Sequence, residues 1–246
     1  MTNKPVLLVI AHGSRDPRHA ATVHALVRGV RTLRPDLRVE TGFLDFNVPS
    51  VQGVLESLAV QGVRDVVALP LLLTRAFHAK ADIPAVLADA PPQLRILQAE
   101  VLGPSPLLLA ALERRLYEAG LSPADKSSTG VVLASAGSTD PEAIAVIAEI
   151  AREWRHTGWC AVRPAFASAS LPRTEEAVRE LRALGCSRVA VAPYVLAPGF
   201  LPDRIARGAA EADVLADVLG PAPEVARVVL QRYEAARAPM LTAVSA

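Results

Sequence analysis

Two histidines and one aspartate carry most of the chemistry that this sequence can offer. His12 sits in the run Val6–Pro17, VLLVIAHGSRDP. Asp45 sits in Phe43–Pro49, FLDFNVP, and His78 in Arg75–Pro84, RAFHAKADIP. Strand-like apolar residues precede each one, so each side chain is delivered at or just past the end of a strand. Parallel strands end on one side of their sheet, where open α/β sheets place their ligands. Two imidazoles and a carboxylate meeting on that edge suit a borderline divalent cation with open coordination positions. Taken singly, each has a plainer reading: His12 as a hydrogen-bonding turn residue, Asp45 as a turn cap, His78 as a surface residue at a helix start.

The elements that must position these groups alternate in type. Val6–Ala11 reads as a strand. Pro17 then opens a helix to about Leu33, with Ala20, Val23, Val27 and Val30 at helical spacing. A second strand is expected over Arg38–Phe46. Pro49-Ser50 starts a helix with Val51, Val54, Leu55 and Leu58 on one face. Val66–Leu73 is too apolar to alternate, so it is expected to be buried on both sides. A strand near Leu94–Val101 and a helix over Pro106–Glu118 follow. This alternation predicts a parallel sheet with right-handed crossovers.

The pattern then repeats. Gly130–Pro141, GVVLASAGSTDP, echoes the first run, and Phe166–Pro172, FASASLP, echoes FLDFNVP. Gly185–Pro193 echoes Gly62–Pro70, and Val218–Pro221 echoes Val101–Pro104. The expected α/β architecture is therefore two tandem similar lobes, each a mainly parallel four-stranded sheet flanked by helices, with a cleft between them. Boundaries are expected at residues 1–122 and 128–246. The repeat is asymmetric in content: Ala136 corresponds to His12, Ser168 to Asp45 and, if Phe77 is paired with Phe200, Leu201 to His78. Chemistry is thus expected from the first lobe, and the opposite wall of the cleft from the second.

Composition narrows the function classes. The 246 residues are 51% hydrophobic and 21% charged with a net charge of +1, which fits a folded chain and offers no nucleic-acid surface. Pro, Arg or Asp interrupts the longest apolar runs, so no membrane span is expected. The first residues lead straight into a strand without a secretory leader pattern, and a cytoplasmic location is expected. Cys160 and Cys186 form no CxxC, which argues against a disulfide framework or thiolate zinc and reads as small core residues. Phosphate cradles of the GxGxxG or GxxxxGK[ST] type are absent. Ala11 precedes His12, so an Arg-His-Gly phosphoryl-transfer motif is absent too.

VLLVIAHGSRDP, FLDFNVPSV and LPLLLTRAFHAKADIP, in that order, resemble the class II chelatases that insert a divalent metal into sirohydrochlorin in the siroheme and cobalamin pathways. The resemblance covers most of both halves and is strongest from Val6 to Pro104. It implies an active N-terminal half in which His12, Asp45 and His78 are the catalytic and metal-binding residues. The chain departs from the family at Asp45, where Glu is expected in much of it. The side chain is one methylene shorter, which leaves open whether it touches metal directly or acts through water or a histidine. A carboxylate-rich substrate implies a rim of cations and hydrogen-bond donors: Ser14, Arg15, Arg75 and Lys80 from the first lobe, and Ser135, Ser138 and Arg204 from the second. Co²⁺ or Fe²⁺ would be a substrate, with no permanently bound cofactor. The partners would be sirohydrochlorin and the ion, and one chain would suffice. Two other readings stay open: a carrier that binds metal or tetrapyrrole without turnover, and a protoporphyrin-type ferrochelatase.

Overall fold

The computed structural model describes residues 4–75 and 78–242. Its first strand, β1 (Val6–Ala11), is buried along its whole length. Both faces of that strand must therefore be covered. Val6, Leu8 and Ile10 cluster with Val51, Val54, Leu55 and Leu58 of helix α2 (Val51–Val60). Alternation along the strand turns Leu7 and Val9 to the other face. Each such buried aliphatic side chain contributes roughly 1.5–3 kcal/mol.

β1 is followed by α1 (Pro17–Leu33), which starts where Asp16 accepts a hydrogen bond from the Arg18 amide at 2.9 Å and Pro17 fixes the first turn. The remaining strands of this sheet are β2 (Val39–Phe43), β3 (Asp65–Pro70) and β4 (Arg95–Gln98). A π-helical turn over His78–Asp82 leads from β3 into α3 (Ile83–Ala88). The sheet order is β2-β1-β3-β4, all parallel, with Ala11 opposite Phe43 and Ile10 opposite Pro70. Residues that follow β1, β2 and β3 are therefore neighbours on one carboxyl edge. β2 ends at Phe43, earlier than expected, which places Asp45 in the turn and not in the strand.

The second sheet repeats the plan with β5 (Thr129–Ser135), β6 (Ala161–Phe166), β7 (Arg188–Tyr194) and β8 (Val214–Leu215) in the order β6-β5-β7-β8. Helices α5 (Pro141–Arg155), α6 (Thr174–Ala183) and α7 (Phe200–Gly208) belong to it. Ala177, Val178 and Leu181 of α6 and Ile205 of α7 pack on Val132, Ala134, Val189 and Val191.

The chain forms two compact units, but not at the expected boundary. One comprises Met1–Gly103 with Pro221–Ala246, and the other Pro104–Gly220. Helix α4 (Pro106–Glu118) follows the first sheet in sequence yet packs on β7 of the second. Its apolar stripe of Leu108, Ala111, Leu112 and Leu116 is fully buried there, and Arg115 donates to the Leu219 carbonyl at 3.1 Å. Helix α8 (Pro223–Thr242) follows the second sheet and packs on α1, β3 and β4 of the first. Buried Tyr233 anchors it by donating to the Pro5 carbonyl at 2.7 Å, and burial pushes the phenol pKa up to about 12. Arg232 adds hydrogen bonds to the Val101 and Leu102 carbonyls at 2.8 and 3.0 Å. Relative to the expected lobes at 1–122 and 128–246, the contact units exchange α4 and α8. A stripe of leucines marks a helix for burial without naming the sheet that buries it. A correction concerns the cysteines: Cys186 is buried, but Cys160 is exposed, with its sulfur 3.8 Å from that of Cys186.

Candidate functional site

His12 is the first residue past β1 and is half-buried. The next residue, Gly13, has φ +95, and a Cβ there would lie 1.9 Å from the Asp45 carbonyl oxygen. Only glycine permits this approach. The approach joins the ends of β1 and β2: the Leu44 amide donates to the Ala11 carbonyl at 3.0 Å and the Asp45 amide to the His12 carbonyl at 2.9 Å. The Ser14 amide adds a bond to Asn47 Oδ1 at 2.8 Å. His12 Nδ1 stands 3.3 Å from the Gly13 carbonyl. With the proton on Nδ1, the lone pair sits on Nε2, where it can take a proton or a cation.

The backbones of two of the three expected site residues, His12 and Asp45, are thus joined. Asp45 is exposed, and its Oδ1 accepts from the Phe46 amide at 2.8 Å. His78 opens the π-helical turn that follows β3, and its side chain lies outside the described residues. Among the described residues, no group of three or more His, Cys, Asp or Glu side chains is gathered to hold a metal.

Phe46 is the residue that sequence reasoning missed. Its φ is +60, a left-handed conformation that costs a side-chain-bearing residue roughly 1–2 kcal/mol. Its ring stacks near His12 with centroids 6.3 Å apart and planes at 30°. The Arg15 guanidinium lies 5.2 Å from the ring centroid. The available signal was the repeat itself, which has Ala169 at this place. His19, on α1, is half-buried. Its Nδ1 is buried without a partner. Burial pushes its pKa down, and the nearby His12 charge adds to that.

The expected rim residues divide by environment. Arg75 and Lys80 line a cavity of about 330 Å³ together with Gln98 and Glu100. Arg75 stands 4.0 Å from Glu100, so a carboxylate already shares that cavity. Ser14 and Ser138 play equivalent parts, each Oγ accepting at 3.0 Å from the amide of Asp16 or Asp140. That leaves each hydroxyl proton able to point outward. In the second unit Ser135 ends β5 with its Oγ buried and without a partner, and Arg204 is exposed on α7.

Comparison with known proteins agrees with this architecture. A family model described as CbiX matches residues 6–119 and 130–236. Sirohydrochlorin cobaltochelatase from Priestia megaterium is 30% identical over 210 residues, covering 81% of this chain and 66% of that protein, just under two thirds of its length. Sirohydrochlorin ferrochelatase from Bacillus subtilis strain 168 is 28% identical over 210 residues, covering 83% of this chain and 78% of that protein. Among solved structures, SirB from Bacillus subtilis with Fe³⁺ superposes with a TM-score of 0.82 at 25% identity, covering 98% of both chains. SirB from the subspecies spizizenii, in complex with cobalt, gives 0.80 at 26% identity over 97% of both. With both halves matched and the duplicated parallel sheets shared, this chain belongs to the CbiX family.

Proposed function

We propose that this chain is a sirohydrochlorin chelatase that inserts Co²⁺ or Fe²⁺ into the macrocycle. The observation that supports it best is the imidazole of His12 beside the Asp45 turn, present in one copy of a duplicated strand-end turn and absent from the other. The relatives named for this reaction with cobalt and with iron lend the substrate.

The reaction exchanges two pyrrole N–H protons for one divalent ion. Those protons need an acceptor, and the ion must leave its hydration shell without being held too tightly to move on. A neutral imidazole serves both needs. It titrates near pH 6.5 when unperturbed and is a moderate ligand for late divalent metals. In this proposal His12 and His78 hold the incoming ion or accept the pyrrole protons. Asp45, with one oxygen already on the Phe46 amide, keeps the local field negative and so favours the cationic partner. Arg15, Arg75 and Lys80 would meet peripheral carboxylates of the macrocycle, as would the outward hydroxyl of Ser14. Ser135, Ser138 and Arg204 are proposed for the same task from the second unit. The metal is a substrate, no resident cofactor is invoked, one chain is taken to suffice, and the reaction is assigned to the cytoplasm. Among the described residues, no helix is long and apolar enough to cross a membrane.

The test is an anaerobic absorbance assay with sirohydrochlorin and Co²⁺ or Fe²⁺. Catalysed spectral conversion above a no-enzyme control is expected. Stoichiometric binding without turnover would replace the chelatase with a carrier.

A further inference from the structure

The turn after β2 and the turn after β6 have one backbone but not one surface. Phe46 at φ +60 and Ala169 at φ +58 occupy the same place, each one residue past the amide that bonds back to the preceding turn at 2.9 Å. Since alanine suffices in the second unit, the kink itself does not require a ring. Yet Phe46 is 50% exposed, and Val48 in the same turn is 84% exposed. Leu171, 68% exposed, stands at the place of Val48 in the second turn, so the exposed ring of Phe46 is the apolar feature particular to the first, and an apolar face left in solvent is one that a ligand can cover.

Among the residues that differ between the first turn and its repeat, three lie against one another: His12 in place of Ala136, Arg15 in place of Thr139, and Phe46 in place of Ala169. The three side chains converge. The imidazole is stacked 6.3 Å from the Phe46 ring, and the guanidinium stands 5.2 Å from its centroid. We propose that Phe46 is a binding shelf for the flat conjugated face of the tetrapyrrole, set beside His12, with Arg15 pairing a carboxylate at the macrocycle's rim. This rests on the chelatase reading and deepens it by separating the two substrates. A largely planar, polarisable ring fringed with acids gains from an aromatic face with a cation at its edge. A hydrated divalent ion, held by imidazole and oxygen donors, draws little of its affinity from a phenyl ring. Macrocycle affinity should therefore depend on Phe46, and metal affinity should not.

The experiment compares wild type, Phe46→Ala and Phe46→Tyr in steady-state Co²⁺ insertion, varying sirohydrochlorin and Co²⁺ in turn. Phe46→Ala should raise KM for sirohydrochlorin roughly fivefold to tenfold. Its KM for Co²⁺ should stay at the wild-type value, and Phe46→Tyr should restore the tetrapyrrole KM. The alanine variant is expected to fold, because Ala169 already holds this conformation, and its melting curve checks that. An unchanged tetrapyrrole KM in Phe46→Ala overturns the shelf while leaving the chelatase reading intact. So does an equal rise in both KM values, or a tyrosine variant that fails to recover. A wild-type protein that gives no insertion above the no-enzyme control overturns the chelatase reading and the shelf with it.

Discussion

The turns that follow β1 and β5 share a skeleton and differ in what they display. Gly13 at φ +95 and Gly137 at φ +91 each bring a carbonyl so close that a Cβ would fall 1.9 Å from it, on Asp45 in one unit and Ser168 in the other. Asp16 and Asp140 cap the helices that follow, and cis prolines at Pro49 and Pro172 close the neighbouring turns. The fastenings then diverge. In the second unit, hydroxyls tie the turn down: Ser168 Oγ donates to the Ala136 carbonyl at 2.8 Å and Ser170 Oγ to the Ser138 carbonyl at 2.5 Å. In the first unit an amide oxygen of Asn47 accepts instead, and Asp45 turns its carboxylate to the Phe46 amide. The scaffold needs the glycine, the cap and the proline twice. It does not need the imidazole, the acid or the exposed ring, and these are the groups to which the proposed chemistry and the proposed shelf assign work.

The largest expected effect separates the two copies by activity. His12→Ala should slow metal insertion by about 10²- to 10⁴-fold, the range for losing a positioned acid–base group. Ala136→His should leave the initial rate near wild type. An undiminished rate in His12→Ala would break the contrast. The next effect should be equal in both copies. Gly13→Ala and Gly137→Ala should each cost about 3 kcal/mol, because a side chain at positive φ collides with backbone that cannot yield. Urea unfolding reads this, and a silent Gly137→Ala would show that the turns are not equivalent.

A smaller test addresses the fastenings. Asn47→Ala and Ser170→Ala should each lower stability by about 1 kcal/mol, one hydrogen bond apiece. A loss confined to one of them would mean that the two turns are held differently in energy as well as in chemistry. The smallest effect depends on pH. His19 resists protonation in the folded state, whereas the unfolded chain takes the proton near the ordinary value of 6.5. The folded state then binds fewer protons, so stability falls as pH drops below about 6.5 and is unaffected by this group well above it. The corresponding residue is Ala143, so the second unit has no such dependence. His19→Ala should flatten the acid limb of denaturation curves taken between about pH 7.5 and 5. A limb of unchanged slope would remove His19 from the account.

Local order determined a good deal by itself. Six consecutive apolar residues gave β1 its bounds, and Asp16-Pro17 with its apolar spacing gave those of α1. The repeat, its asymmetry and the placement of His12 on the carboxyl edge were all legible, because periodicity and capping act between residues a few positions apart. Tertiary structure decided the rest. It ended β2 at Phe43 and so exposed Asp45, since strand length follows pairing with a neighbour that local pattern does not reveal. It set Phe46 against His12, a contact across two strand ends, and brought Cys160 to within 3.8 Å of Cys186. It also traded α4 and α8 between the two units, because an amphipathic helix encodes that one face must be buried, while the surface that buries it is chosen by the whole chain.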